Sequence, residues 1–197
     1  TASGGPFLKT PVKNLRHVTI SQALKHPNWS MGKKISIDSA TMMNKVFEVI
    51  EAQKIFNIPI KKFTILIHPK SYLHAIVKFN NGLIKMLIHD TNMSIPIFNS
   101  INDNDEIKTN KIDYSILNNL ALSVIPKGRY PSIKILENLD SRNSLYETAI
   151  VSANDELVNL FINKKIKFNE ISKNLKKILN YKEILKFKRK SPKNFQE

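Results

Sequence analysis

The sequence contains no cysteine, so neither a disulfide framework nor a thiolate metal site can form, and any metal must be held by carboxylates, imidazoles or water. That donor set favours a hard divalent cation. Glycine is scarce: it stands only at positions 4, 5, 32, 82 and 128, a spacing that excludes the G-x-G-x-x-G turn of a dinucleotide-binding domain. No run approaches the roughly 18 apolar residues of a membrane span, and Thr1-Ala2-Ser3-Gly4-Gly5 is no signal peptide. A soluble, intracellular protein is expected, with no membrane partner. Tryptophan occurs once, and arginine only at Arg16, Arg129, Arg142 and Arg189.

What is present suits a folded body. The 197 residues are 42% hydrophobic and 24% charged, enough for one sizeable core with an appendage. The net charge of +15 raises the question of a polyanionic partner. Much of the excess lies in the tail from Lys164 to Lys193, and lysine, isoleucine and asparagine recur throughout the chain. Such a skew reads as the bias of a genome, and nucleic acid is not an expected partner.

Chemistry is densest between His26 and Glu51, which hold the single tryptophan, one glycine, one histidine and a row of small polar and charged residues. Lys34 to Asp38 alternates with period two and predicts a short strand; Asp38 or Ser39, with Thr41, is a candidate N-cap for a helix from Thr41 to Phe56. On that helix Met42, Val46, Val49, Ile50 and Phe56 form the apolar set, and Asn44, Glu48 and Glu51 fall on one face at i, i+4 and i+7. Ser39, Asn44 and Lys45 near the helix start suit a phosphate, and the Ser3-Gly4-Gly5 turn could bring further N–H groups to it. A capped surface helix with a Lys45–Glu48 or Lys45–Glu51 ion pair explains the same residues. Glu48 and Glu51 could serve a metal or orient a substrate hydroxyl, but a hard cation needs more oxygen ligands than one helix provides. His26, Trp29 and Met31 in a proline-containing loop suit a flap that closes over a ligand and excludes water. An exposed loop histidine reads equally well, as does a core or edge placement for His68 and His74.

Three strand-like runs follow, Phe63 to His68, Tyr72 to Phe79 and Leu83 to His89, the last two joined by the hairpin signal Asn80-Asn81-Gly82. The polar stretch from Asn99 to Lys111, with Asn102-Asp103-Asn104-Asp105 as a loop tip, reads as a connector. From Tyr130 the pattern is helical: Ser132 to Leu139, Ser144 to Phe161, then a lysine-rich amphipathic run from Phe168 to about Lys190. The expected fold is α/β (α+β), a three-stranded sheet covered by helices and followed by a small all-helical domain. The expected boundaries are 1–100, a connector over 101–129, and 130–197.

These residues resemble a known family. Ser3-Gly4-Gly5-Pro6-Phe7, the run from His26 to Lys34, the run from Asp38 to Lys45, Glu48 and Ile50-Glu51-Ala52 are similar to the catalytic core of 1-deoxy-D-xylulose 5-phosphate reductoisomerases. A looser likeness continues through Ile67-His68-Pro69, Ser71 to His74, Met93, Pro96, Tyr130-Pro131 and Ala153-Asn154-Asp155. The resemblance implies a rearrangement of a phosphorylated sugar followed by reduction with NADPH under Mg2+ or Mn2+. It implies substrate contacts from Ser3, His26, Trp29, Ser39, Asn44, Lys45, Glu48 and His74, with His26, Lys45, Glu48 and Glu51 as the catalytic set. Glu48 would be a metal ligand, Gly32 and Met31 would lie against the nucleotide, and the sheet would join two copies into a homodimer.

The family's nucleotide-binding domain and its acidic metal-binding motif have no counterpart here. The resemblance is therefore to a C-terminal half, expected not to turn over by itself. The alternative is an inactive fragment that binds a phosphate or other anion, or that serves as a dimerisation module. Val46 stands where the family usually has glycine, Thr91 where it has proline, and a Trp-Pro segment expected near residue 101 is missing.

Overall fold

The computed structural model describes residues 1–102, 106–111, 113–140 and 142–193. In chain order its helices are α1 (Ile20–Leu24), α2 (Lys33–Thr41), α3 (Met43–Phe56), α4 (Ser94–Ile101), α5 (Tyr114–Asn118), α6 (Leu145–Ile162), α7 (Phe168–Ile178) and α8 (Lys182–Leu185). The strands are β1 (Leu66–Ile67), β2 (Leu73–Lys78), β3 (Ile84–Ile88) and β4 (Ser123–Val124). Shorter 3-10 segments cover Val12–His17, Ile60–Lys62, Pro131–Asn138 and Lys186–Arg189. The chain divides into two compact units, one of residues 1–4, 27–30 and 65–125 and one of residues 5–26, 31–64 and 126 onward. In the second unit helices from both ends of the chain share one core.

That core belongs to the second, helical unit. Ile37, Met43 and Val46 from α2 and α3 are buried with Ile150, Leu157 and Phe161 of α6 and Phe168, Ile171 and Leu175 of α7. The i, i+3, i+7 spacing of the α7 residues sets a single apolar stripe inward. Phe168 takes Phe7 and Phe161 edge-on, with ring centroids 5.0 and 5.7 Å away. The caps follow the sequence: Ser144 accepts from the Tyr146 N–H at the start of α6, and Glu170 accepts from the Lys167 N–H at the start of α7.

Several expected elements differ. Lys34 to Asp38 is helical, not a strand. The alternation of Ile35 and Ile37 was misleading, since Ile37 is buried and Ile35 exposed on a helix whose Lys34 and Asp38 pair at i, i+4. The next helix starts at Met43, and neither Asp38 nor Ser39 caps it. Met42 sits between the two helices in the left-handed region at φ 65°, ending α2 and starting α3 without a glycine to announce the break. Phe56 is exposed, outside the apolar stripe. The lysine-rich run from Phe168 breaks into α7, α8 and a 3-10 segment at Asn180, whose side-chain amide donates to the Lys176 carbonyl and competes with helix continuation.

The other unit carries the strands. The hairpin forms as the Asn-Gly turn predicts, β2 antiparallel to β3 with Ile76 opposite Met86 and Val77 opposite Lys85. The expected three-stranded sheet does not form. β1 is only two residues long and pairs antiparallel with β4, while its other edge takes Ala2: the Ala2 N–H donates to the Leu66 carbonyl at 2.9 Å and the His68 N–H to the Ala2 carbonyl at 2.7 Å. Sequence periodicity had no access to these pairings because each involves one or two residues. The expected loop tip is described only at Asn102; Asp103, Asn104 and Asp105 lie outside the described residues.

One polar contact crosses the helical core. Asp38 is buried on α2 and accepts from the Asn154 side-chain amide of α6 at 2.8 Å and from the Lys34 ammonium at 2.7 Å, while Lys34 also reaches Asp155 at 3.0 Å. Removing Asn154 leaves a carboxylate oxygen buried without its donor, a loss on the order of 2 kcal/mol. Asn154→Ala is therefore expected to lower the unfolding free energy measured in urea by that amount, through a lower midpoint at unchanged slope; a change below about 0.5 kcal/mol would show the contact to be dispensable.

Candidate functional site

α3 positions the central group of candidate residues. Asn44, Lys45 and Glu48 occupy neighbouring turns, so that the Asn44 amide donates to one Glu48 oxygen at 2.9 Å and the Lys45 ammonium contacts the other at 2.5 Å. Both carboxylate oxygens are thus engaged from within the helix. Lys45 has three N–H donors, and Glu48 uses one. Glu51 follows one turn later and is exposed. At the start of α3, Thr41, Met42 and Met43 are buried, and the Met43 N–H donates to the Thr41 hydroxyl at 3.4 Å.

Ser39 lies in the last turn of α2, half-buried. Gly5 packs against that turn. With φ at 65°, a Cβ there would come within 3.0 Å of the Ala40 Cα and the Ser39 carbonyl, so Gly5 is fixed by backbone approach to α2. Gly4 and Gly5 are both buried.

Gly32 precedes α2 and receives both the N–H and the hydroxyl of Ser36 on its carbonyl, at 3.1 and 3.0 Å. Nothing lies within 4 Å of a Cβ placed on it, so its backbone is open to a ligand. Met31 beside it is half-buried. His26 ends the loop after α1 and belongs, like Met31, to the helical unit; burial pushes its pKa below the usual histidine value and keeps the ring neutral near pH 7.

Ser3, Trp29 and His74 belong to the strand-bearing unit. The loop that carries Trp29 is tied down there by Asn28, whose amide donates to the Pro69 carbonyl at 2.6 Å and to the Ser71 hydroxyl at 2.8 Å. Trp29 meets the His74 ring edge-on at 6.2 Å, and His74 stacks on His89 at 3.6 Å. The His74 Nε2–H donates to the His89 carbonyl at 3.2 Å, and His89 Nδ1–H to the Asp90 carbonyl at 2.7 Å. The candidate residues therefore fall into two groups, one on each unit.

Sequence reading named Asp38 and His68 but overlooked their polar partners, and it overlooked Arg129. Asp38 is pushed above the usual carboxylate range by burial, against the hydrogen bonds of Lys34 and Asn154 that pull it down. For Lys34, partial burial lowers the pKa, but the hydrogen bonds and charges of Asp38 and Asp155 outweigh it and raise the net value. The i, i+4 spacing of Lys34 and Asp38 was the available signal. Arg129 donates from one guanidinium nitrogen to the Phe7 carbonyl and, at 2.6 Å, to the Thr10 carbonyl. His68 is buried, with Nδ1 against the Leu120 carbonyl. Nothing local in the sequence marks either partner.

Among the described residues no three His, Asp or Glu side chains lie close enough together to hold a metal ion. Glu48 offers a single carboxylate, so these residues do not by themselves complete a divalent-cation site.

Comparison with known proteins bears on the whole chain. The sequence model described as "1-deoxy-D-xylulose 5-phosphate reductoisomerase C-terminal domain" matches residues 1–56, and that described as "DXP reductoisomerase C-terminal domain" matches residues 89–197. A 1-deoxy-D-xylulose 5-phosphate reductoisomerase of Pelagibacter ubique is 63% identical over all of this chain and 51% of its own length. One of Persephonella marina is 38% identical over 94% of this chain and 50% of its own. The crystal structure of a DOX-P reductoisomerase in complex with NADPH, fosmidomycin and magnesium superposes with a TM-score of 0.84 at 31% identity, over 94% of this chain and 46% of that one. The reductoisomerase from Zymomonas mobilis in complex with NADPH gives a TM-score of 0.77 at 32% identity, over 95% and 51%. The chain spans about half the length of the relatives it matches. With more than half of its residues inside one matching sequence model, this chain belongs to the 1-deoxy-D-xylulose 5-phosphate reductoisomerase family.

Proposed function

We propose that the chain is the C-terminal part of a reductoisomerase that converts 1-deoxy-D-xylulose 5-phosphate to 2-C-methyl-D-erythritol 4-phosphate in the non-mevalonate isoprenoid pathway, using NADPH and Mg2+ or Mn2+. The observation that carries this reading is the family match over residues 1–56 and 89–197, which contain nearly every candidate residue. A cytoplasmic location accompanies it; among the described residues no helix is long and apolar enough to cross a membrane.

In this reading the chain's own side chains bind and orient the substrate. Lys45, with two N–H donors beyond its Glu48 contact, holds the phosphate or a neighbouring oxygen together with Ser39 and Asn44. His26 stays neutral because it is half-buried, so one ring nitrogen donates and the other accepts at a substrate hydroxyl. Trp29, with His74 against its edge, excludes water from the bound sugar. Glu48 supplies one carboxylate to the divalent cation, which polarises the substrate oxygens when bound. Gly32 and Met31 would lie against the nicotinamide nucleotide, which would supply the hydride, and a Cβ on Gly32 would meet nothing within 4 Å.

Joined to the N-terminal half of the Pelagibacter ubique relative, the chain is expected to oxidise NADPH with the sugar phosphate and Mg2+ or Mn2+, and the chain by itself to show no turnover. Lys45→Ala and Glu48→Gln should each lower kcat/KM by on the order of a hundredfold. Absence of NADPH oxidation in the joined protein would overturn the reading.

Because His26 has a lowered pKa in the folded state, the unfolded chain binds more protons between that value and 6.5, so stability falls as pH drops below 6.5. The urea midpoint is expected to fall between about pH 7.5 and 5.5, and His26→Gln to reduce that fall. Equal falls in the two proteins would remove burial of His26 as the cause.

Homodimerisation through the hairpin is the second part of the proposal. Leu83, Ile84, Met86, Leu87 and Ile88 are all exposed, as are Val77 and Phe79 across the turn, an apolar ribbon whose free strand edge invites pairing. Sedimentation should give a dimer for the chain and a monomer for Leu87→Asp. A monomer at micromolar concentration before substitution would refute it.

A further inference from the structure

The lysine excess of the C-terminal helices is gathered, in part, around a cavity that the proposed reaction does not use. The 3-10 segment Pro131–Asn138, α7 and the 3-10 segment Lys186–Arg189 enclose a space of about 140 Å3 whose walls include Ser132, Lys134, Tyr146, Ser172, Lys176 and Lys188. That is many times the roughly 15 Å3 a single water requires. Among the described residues the lining contains three lysines and no acidic residue. An uncompensated cluster of this kind in a partly enclosed space concentrates anions.

The donors are arranged, not merely numerous. Lys188 is half-buried, with its ammonium 4.8 Å from the centre of the Tyr146 ring and one N–H given to the Asn138 carbonyl at 3.0 Å. Two of its three donors remain for a ligand. Ser132 is 2% exposed, and its hydroxyl lies 2.9 Å from that of Ser172. One proton is shared between the two hydroxyls, which leaves the second O–H able to donate to a third acceptor. Lys134 and Lys176 enter no ion pair among the described residues and carry the rim. Tyr146 cannot compete for an anion, because its hydroxyl is already spent on the Leu179 carbonyl at 3.2 Å.

We propose that this cavity is a second anion site of the helical unit, in which Lys134, Lys176, Lys188 and the Ser132–Ser172 hydroxyl pair bind a phosphate group. A tetrahedral dianion suits a cavity lined by three lysines and a hydroxyl donor, and the apolar side of the cavity at Ile135 and Leu185 leaves room for the carbon skeleton of a small phosphate monoester.

The test is calorimetric titration of the chain, at low ionic strength, with inorganic phosphate and with glycerol 2-phosphate. Lys188→Met and the exposed-rim variant Lys176→Met should each weaken phosphate binding by about tenfold. Lys45→Ala should leave binding to this cavity in place. Tighter binding of glycerol 2-phosphate identifies a monoester as the ligand, and equal or weaker binding identifies free phosphate. Two results would overturn the proposal. One is an affinity unchanged by both lysine substitutions. The other is an equal loss on substituting Lys164 and Lys165, which lie outside the cavity, since that would mean attraction by diffuse charge alone.

Discussion

The helical unit depends on one buried carboxylate. Asp38 is held from within its own helix by Lys34 and from α6 by Asn154, more than a hundred residues later in the chain. Burying a carboxylate is costly, and the cost is offset only if its donors are in place. The contact is therefore met only when α2 and α6 are docked in one register, which a purely apolar interface would not enforce. α2 is continuous through Met42 with α3, and α3 bears Asn44, Lys45 and Glu48. The placement of the candidate substrate residues thus follows from a polar contact that touches none of them.

A second constraint is the left-handed Met42. A non-glycine residue at φ 65° carries strain of about 1–2 kcal/mol, and here it is sustained by complete burial between the two helices. The turn lets α2 and α3 meet closely enough for Thr41 to accept the Met43 N–H. Gly5 completes this corner from the other side, where only a residue without a side chain fits. Gly5 and the Asp-Ser-Ala-Thr-Met-Met segment, separated by more than thirty residues, form a single packing problem.

The strand-bearing unit is organised differently. Its sheets are small, its second hairpin strand is exposed along its length, and its order near the Trp29 loop comes from the Asn28 amide and from ring contacts, Trp29 edge-on to His74 and His74 stacked on His89. A cluster built from aromatic edges and main-chain carbonyls can keep its geometry with little apolar burial. It also explains why His89, which no motif singled out, sits beside a candidate residue: the hairpin register brings the end of β3 next to the start of β2.

By itself the sequence determined the elements whose signals are local: α3, the Asn-Gly hairpin, the capped start of α6 and the apolar stripe of α7. It also determined the grouping of Asn44, Lys45 and Glu48, because helical spacing places them on one face whatever surrounds them. Its ordered motifs from Ser3 to Glu51 sufficed for the family. Tertiary structure decided the rest. Whether Lys34 to Asp38 became strand or helix turned on the partner found by Asp38, and whether β1 joined the hairpin or β4 turned on pairings one or two residues long, too short to leave a period. The helices after Tyr130 joined the core of Phe7, Ile37 and Val46 because apolar stripes do not record which stripe they will meet. Local spacing fixes which side chains share a face; only docking of distant segments fixes what that face is set against.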